Sequence, residues 1–485
     1  MMQLNQAQQQ ATEYLNGPLL VVAGPGTGKT QLLSAKVAHI LTATDTNPEN
    51  ILCLTFTESG ATNMRTRLTS IIGAKAAGKV HIHTYHAFGS DLLAQYKNYS
   101  TEFIRQLDSP IDTVTQHKII SQLLDALPAR DILKTSNVSD VIDTISAAKS
   151  ARLSAVDLKT IAEVNLADTA KLNPIISQIL LKLVPRAKFT VAVSDVYQPL
   201  LETLSKFISP TPIVGQIEKE ANFLMRDLHT IITEESAKTK PSISPLTRWK
   251  DRNFEKTADG SYRLKNLVAN KKLLSLAGVM QAYDQYLSEH GLFDFADMIE
   301  EAINILKSDE GFRLTLAETY QYILLDEFQD TNPSQFELIK LITDYESPNI
   351  MAVGDDDQAI FTFQGANASN LIDFQNHYHA KQIVLTKNYR STQEILDFSE
   401  HISTQISDHI EKRLVSNNSN HTTSNIHRHE FISSDAEYLW VSQQIAELVK
   451  SGVAQKDIAV ITPKHKYVAP LLPYLRAFPD LYIDY

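Results

Sequence analysis

Cysteine is almost absent: Cys53 is the only one in 485 residues. This excludes a disulfide framework and any zinc site built on cysteine. Long apolar runs are also missing, and none reaches the roughly 18 residues a bilayer-spanning helix needs. The opening MMQLNQAQQQ lacks the basic-then-apolar pattern of a secretory leader. A cytoplasmic protein is therefore expected. Nor is there a basic excess: 45 Lys and Arg stand against 56 Asp and Glu, a net charge of -11. That excludes a coat that holds nucleic acid through bulk charge. A local basic groove on an acidic body remains compatible, because the distribution of charge decides. What is present is ordinary for a globular chain, with 43% apolar and 21% charged residues. At roughly 150 residues per domain, the length corresponds to about three domains.

Short apolar runs alternate with helical patterns over the first 90 residues. Leu19–Ala23 (LLVVA), Ile51–Phe56 (ILCLTF) and Val80–Thr84 read as strands, with a helix over Lys29–Leu41. This rhythm implies a parallel sheet with helices on both faces. From about residue 100 the strand signals fade, and Ile111–Leu127 and Leu153–Leu183 carry helical spacing. A mostly helical insertion is expected over about 101–275. Near its end, residues 236–272 hold ten Lys or Arg and three Asp or Glu, with Pro241 and Pro245 expected to break any helix. The α/β rhythm then returns. Helices are expected over Leu274–Glu289 and Asp294–Lys307, and strands at Tyr322–Leu325 and Ile350–Val353. Gln382–Thr386 is expected to begin a further unit, 416–425 to form a polar loop, and Ile458–Thr462 (IAVIT) to form one more strand in a sheet that stops unfinished.

Four segments carry chemistry. AGPGTGKT runs through Ala23, Gly24, Pro25, Gly26, Thr27, Gly28, Lys29 and Thr30, between a strand and a helix. Its glycines let the backbone turn its amides inward, a cradle for phosphate at a helix N-terminus. Lys29 can reach the outer phosphates, and the Thr30 hydroxyl can ligate Mg2+. Ala23 stands where GxxxxGK[ST] has its first Gly. LLDEFQD (Leu324–Asp330) sets two acids at the end of a strand, where ligands of open parallel sheets gather. Asp326 is placed to hold Mg2+ and Glu327 to activate water as a general base. VGDDDQAIFTFQGA (Val353–Ala366) follows another strand. In it Gln358 could sense a terminal phosphate, and Phe361 and Phe363 would share a face if extended, as stacking platforms or as core. TKNYRST (Thr386–Thr392) contains Arg390, the kind of residue that reaches a γ-phosphate.

Together these segments resemble the superfamily 1 DNA helicases of the UvrD, Rep and PcrA type, along essentially the whole chain and in order. LNQAQQQA (4–11) is similar to the adenine-reading Gln motif, with Gln8 as reader; TFTESGATNMRTRL (55–68) resembles TFTNKAAxEMxxRI; HTYHAF (83–88) resembles TFHSF; FDFADMI (293–299) resembles DFxDLL. LLDEFQDTNPSQ, GDDDQAIFTFQGA and NYRS match the remaining motifs, with Tyr389 implied to stack on adenine and Arg390 to touch the γ-phosphate. The resemblance implies an α/β fold: a RecA-like P-loop NTPase domain with a parallel sheet, a large helical insertion, and the beginning of a second RecA-like domain. Domain 1A would take 1–100 and 276–380, 1B would take 101–275, and 2A would begin at 381 and run to 485. It implies ATP and Mg2+, with Gln31 beside the phosphate loop in the nucleotide pocket. It also implies a single-strand path lined by Phe56, Thr57, Thr84, His86, Phe295, Phe361 and Phe363. The implied activity is ATP-dependent, 3′-to-5′ movement on single-stranded DNA and at junctions with duplex, in repair, recombination or replication restart, with repair partners.

Departures from the family pattern shape the expectation. Gln31, Ser59 and Gln364 stand where a cation is usual, and Phe361 replaces a Tyr, so a weaker electrostatic hold on nucleotide or DNA is expected. Trp249, Phe254 and Tyr262, interleaved in the basic segment, would either contact nucleic-acid phosphates or sit in a solvated loop. The later 2A motifs TxHxxKGLE and VAxTR are not found, and the chain is expected to be the N-terminal part of a longer protein or one part of a split motor. Two alternatives stay open: an ATP- and DNA-binding module without unwinding of its own, and a helicase subunit of the RecB or AddA helicase–nuclease kind.

Overall fold

The computed structural model of the chain describes residues 4–100, 110–184, 188–359, 370–404, 410, 412–417, 426–479 and 481–482. In chain order its strands are β1 (Leu19–Ala23), β2 (Ile51–Thr55), β3 (His81–Thr84), β4 (Phe254–Lys256), β5 (Tyr262–Leu264), β6 (Tyr322–Leu325), β7 (Ile350–Gly354), β8 (Lys381–Leu385), β9 (Lys387–Asn388) and β10 (Val415–Ser416). Six of them form one sheet in the order β3-β2-β6-β7-β1-β8, parallel at every pairing. Both faces are buried, as a wholly parallel sheet requires. Leu20, Val22, Leu52 and Leu54 point into one core, and Leu19, Val21, Ile51 and Cys53 into the other, the alternation of a strand. Helices Tyr85–Tyr99, Phe295–Ser308 and Pro333–Ile342 supply the first core; α1 (Gln6–Glu13), α2 (Lys29–Ala43) and Glu58–Ile72 supply the second. The expected α/β class with a parallel sheet is what the chain adopts.

The insertion is helical, as expected. Its long helices Ala155–Leu180 and Asn266–Glu289 lie against one another and divide it into two apolar clusters, one around Ile120, Ile145 and Tyr283, the other around Tyr197, Leu228 and Trp249. The basic segment 236–272 is not a loop. Pro245 opens the helix Ser244–Asn253 instead of breaking it, since the first turn needs no amide from that residue. The helix is followed by the β4–β5 hairpin. Leu246 and Trp249, three apart on that helix, face inward; Trp249 and Phe254 are buried with their rings 5.5 Å apart. These two aromatics are core and do not face nucleic acid. Only Tyr262 is half-buried, with the Lys250 and Lys256 ammonium groups 5.7 and 5.9 Å from its ring centre.

One expectation for the C-terminal part needs correction. β8 pairs with β1 as the edge of the first sheet. By its internal contacts the chain divides into one unit of residues 1–391 and 396–419 and another of 392–395 and 420–485. The run Ile458–Thr462 forms no strand among the described residues, and Ile461 is 91% exposed. An apolar run becomes a strand only where a neighbour satisfies its amides and carbonyls. The second unit contains the helix Ser434–Lys450, against whose Trp440 the rings of His429 and Phe431 pack at 4.3 and 5.5 Å.

Lys149 ties the insertion to the sheet domain, alongside Arg152, which pairs with Glu300 and Glu337. Lys149 on helix Val138–Ser150 is buried and lies 3.0, 3.2 and 2.6 Å from Asp284, Asp294 and Asp297. Asp294 also caps helix Phe295–Ser308 and accepts from the Tyr283 hydroxyl at 3.0 Å; its carboxylate accepts from the Asp297 amide, and the Asp297 carboxylate accepts from the Asp294 amide. A buried charge stripped of its counter-charge is costly, so Lys149→Met should lower stability by about 3–5 kcal/mol. Urea unfolding reads this; a loss below about 1 kcal/mol would place the cluster with ordinary surface pairs.

Candidate functional site

The strand order sets the carboxyl ends of β1, β7 and β6 side by side, and the chemistry-bearing segments leave from those ends. After β1 the chain turns through Gly26 (φ 72°) and Gly28 (φ 88°), both in the left-handed region that disfavours a side chain. Space excludes one as well: a Cβ on Gly26 would lie 2.8 Å from Arg390 Cβ, and one on Gly28 2.9 Å from Gln8 Nε2. Ala23 is the last residue of β1 and its methyl packs into the core, which accounts for an Ala at that motif position. Thr27 is buried and its hydroxyl donates to the Gly24 carbonyl at 2.7 Å. Lys29 and Thr30 open α2, and Gln31 follows in its first turn.

Lys29 Nζ lies 2.5 Å from Glu327 Oε2, across 298 residues of sequence. Glu327 itself has φ 48°, a left-handed conformation uncommon for a residue with a side chain. Such strain persists where the surroundings over-determine it, often at functional positions. Here Gln329 Nε2 donates to Glu327 Oε2 at 3.0 Å, and Gln329 Oε1 accepts from the Asp355 amide at 3.0 Å, joining the end of β6 to that of β7. Burial and the adjacent Glu327 charge push the Asp326 carboxyl up to about 7 against the pull of Lys29, and burial likewise raises Asp330 to about 6. Thr30, Phe56, Thr57, Asp326, Glu327 and Gln358 line one cleft of about 510 Å³. The structure thus brings six of the expected residues into one cleft, with Lys29 bonded to one of them, Glu327.

After β7, Asp355, Asp356 and Asp357 converge on Lys412 at 2.9, 2.5 and 2.9 Å, with the lysine side chain 3% exposed. Gln358 donates to the Asp355 carboxylate. Phe361 and Phe363 lie outside the described residues, so their expected place in the strand path is not described.

The residues expected on the nucleotide side cluster at the other edge of the loop. Gln8 is buried and its Nε2 donates to the Thr27 carbonyl at 2.9 Å; Asn5, which caps α1, donates to the Tyr389 hydroxyl at 2.9 Å. The Tyr389 amide donates to the Gly26 carbonyl at 2.9 Å. Tyr389 and Arg390 are otherwise exposed. Asn388 was not singled out in the sequence, although it begins the NYRS segment. It is fully buried, its Nδ2 donates to the Pro25 carbonyl at 2.6 Å, and its Oδ1 accepts from the Arg390 and Ser391 amides at 2.8 and 2.7 Å. One side chain thereby fixes both the phosphate loop and the backbone that carries Tyr389 and Arg390. Lys412 and Gln329 were missed for the same reason, since their partners are distant in sequence.

Along the expected strand path, Thr57 caps helix Glu58–Ile72 and Thr84 caps helix Tyr85–Tyr99. The Thr84 hydroxyl also donates to Glu58 at 3.0 Å. His86 is half-buried, and burial holds its imidazole below the usual range. Phe295 is 54% exposed at the first position of its helix, on the segment whose Asp294 and Asp297 grip Lys149. It is not core.

The family described as the UvrD/REP helicase N-terminal domain matches residues 4–379, and the UvrD-like helicase C-terminal domain matches 383–477. The chain belongs to the UvrD/REP helicase family. Members of this family to which it is similar include a probable DNA helicase of Mycoplasma pneumoniae, 26% identical over 468 residues, covering 96% of this chain and 68% of that protein. The ATP-dependent DNA helicase PcrA of Leuconostoc citreum is 24% identical over 460 residues, and that of Staphylococcus aureus (strain COL) 25% over 459. Both cover 94% of this chain, which spans 46% and 47% of their lengths. Among the described residues of this UvrD/REP chain, no helix is long and apolar enough to cross a membrane.

Asn388→Ala would leave the Pro25 carbonyl and two backbone amides without their partner in a part-buried place, at about 1–3 kcal/mol each at most. The expected outcome is a lowered melting temperature with the loss concentrated around the phosphate loop, read by hydrogen exchange of residues 24–28. Unchanged exchange there would show that the loop is held without Asn388.

Proposed function

We propose that this chain is the ATP-hydrolysing motor of a DNA helicase or translocase that moves 3′ to 5′ on single-stranded DNA, in repair, recombination or replication restart. The observation that carries the reading is the convergence of Lys29, Thr30, Asp326, Glu327 and Gln358 on one cleft at the carboxyl ends of parallel strands. The match to the UvrD/REP family and the printed names of its relatives, DNA helicases, support the same reading. In it, the sheet domain is 1A, the helical insertion 1B, and the chain from 381 to 485 the part that contributes to 2A.

Lys29 binds the outer phosphates of ATP. To do so its ammonium exchanges the Glu327 carboxylate for phosphate oxygens, which leaves Glu327 unpaired beside the cleft and able to take a proton from the attacking water. The Thr30 hydroxyl and Asp326 carboxylate are hard oxygen donors suited to Mg2+, and the raised Asp326 carboxyl is the state of a buried acid that lacks a sufficient counter-charge. When bound, Mg2+ neutralises charge on the phosphates. Gln358 senses the terminal phosphate, and Arg390 stabilises charge as the phosphoryl group leaves. Gln8 and Tyr389 hold the adenine side, by edge hydrogen bonds and by stacking.

The DNA side uses aromatic faces, which grip any base and so permit movement independent of sequence. Phe56 and Thr57 line the same cleft as Glu327 and Gln358, so a change at the phosphate has a short route to the strand. Phe295, exposed on a rigid helix, presents a ring without giving up core packing.

Lys29→Ala is expected to lower ATP turnover by about 10²–10³-fold, the typical effect of removing one charge-stabilising group. Steady-state hydrolysis at saturating ATP measures it, and wild-type turnover would contradict the assignment. Phe295→Ala should weaken single-strand affinity by about 1–3 kcal/mol while nucleotide affinity and melting temperature stay unchanged. Fluorescence anisotropy on a labelled oligonucleotide decides, and an unaltered Kd would remove Phe295 from the path.

A further inference from the structure

Away from the cleft around Lys29, at the edge of the sheet, three side chains of metal-binding type meet. His81 and His83 alternate with Ile82 along β3, so both imidazoles project from one face while Ile82 enters the core on the other. Asp91 stands on the second turn of the following helix, Tyr85–Tyr99. One ligand atom from each of the three lies within 4.8 Å of the others, and all three residues are half-buried. Ligand atoms of a tetrahedral site with bonds of about 2.0–2.1 Å sit roughly 3.4 Å apart, so modest side-chain rotation closes the set.

The surroundings are built around this cluster. Gln95 Nε2 donates to Asp91 Oδ2 at 2.8 Å and lies 3.4 Å from the Tyr320 hydroxyl, which orients the carboxylate. Outer partners of this kind fix the ligands of metal sites. Behind the imidazoles, Tyr320 meets His81 edge-on at 5.4 Å and Phe88 lies 6.4 Å from His83, both rings belonging to the buried core. Among the described residues no Lys or Arg pairs with Asp91. Among the described residues β3 has β2 as its only neighbour in the sheet, so the cluster lies at a sheet edge.

We infer that His81, His83 and Asp91 form a binding site for a borderline divalent transition-metal ion of the Zn2+, Co2+ or Ni2+ kind. Two neutral imidazoles and one carboxylate match that class. Hard Mg2+ and Ca2+ prefer oxygen sets, and soft Cu(I) prefers sulfur. Three protein ligands leave at least one position for water. The ion ties the edge strand β3 to the first turns of the helix that begins at Thr84, Tyr85 and His86, so its effect is on the rigidity of that junction. The inference stands independently of the motor reading, because the site shares no ligand with the ATP cleft.

The test is titration of the chelator-stripped chain with Co2+, followed by visible d–d absorption, with Zn2+ displacing it. The expected result is one Co2+ per chain and a Zn2+-dependent rise in melting temperature. Both should disappear in His83→Ala and in the isosteric Asp91→Asn, whose melting temperature without metal should match wild type. Gln95→Ala should bind about 10–100-fold more weakly, as loss of an outer partner does. A d–d signal of equal strength in Asp91→Asn, or none in the wild type at millimolar Co2+, would overturn the site.

Discussion

The Lys29–Glu327 contact is the constraint on which the rest of the molecule depends. A cation at the start of one helix and an acid at the end of a strand 298 residues later meet at 2.5 Å. Local chain preference cannot produce that meeting. It follows from the sheet order, in which β7 lies between β1 and β6 and all three end on the same side. A parallel sheet aligns the carboxyl ends of its strands, and the crossover helices keep the loops there free to carry polar groups. Gln329 and Asn388 then complete the arrangement from below, one joining β6 to β7 and the other pinning the phosphate loop to the chain after β8. The buried polar side chains of this region are not decoration on a finished core. Each satisfies backbone groups that turns and strand ends leave open.

The same logic explains how a long helical insertion can interrupt the sheet domain without loosening it. Lys149 gathers carboxylates from two other helices, and two of these, Asp294 and Asp297, also cap the helix that re-enters the sheet domain. The acids of FDFADMI therefore act on structure, while Phe295 between them is left exposed. Position in a motif and role in the fold are distinct, and here adjacent residues divide them.

Much of this was legible in the sequence, for a physical reason. Buried parallel strands are short, apolar and bounded by turns, and β1, β2, β6 and β7 were placed correctly on that pattern. Phosphate chemistry needs small residues and a lysine in fixed order, so 23–30 was readable too. Pairing was not readable. QIVL looks the same whether it edges the first sheet or opens a second, and IAVIT looks like a strand although Ile461 stands exposed. Trp249 among lysines suggested a nucleic-acid surface, but the helical period places it with Leu246 in the core. Asn388, Gln329 and Lys412 are ordinary polar residues whose importance arises only from partners brought near by folding. The His81–His83–Asp91 cluster is of this kind as well: two ligands share a strand, but the third is supplied by the second turn of the next helix.

The central claim is that fuel and strand are handled by one rim of one sheet, so that binding at either side is felt at the other. ATP turnover by the wild-type chain, measured against increasing single-stranded oligonucleotide at saturating ATP and Mg2+, tests it most directly. The account predicts slow basal hydrolysis that rises at least about tenfold and saturates with strand concentration, equivalent to about 1.4 kcal/mol or more of coupling. Hydrolysis that proceeds at the same rate with and without strand, at concentrations where the strand is bound, would contradict it.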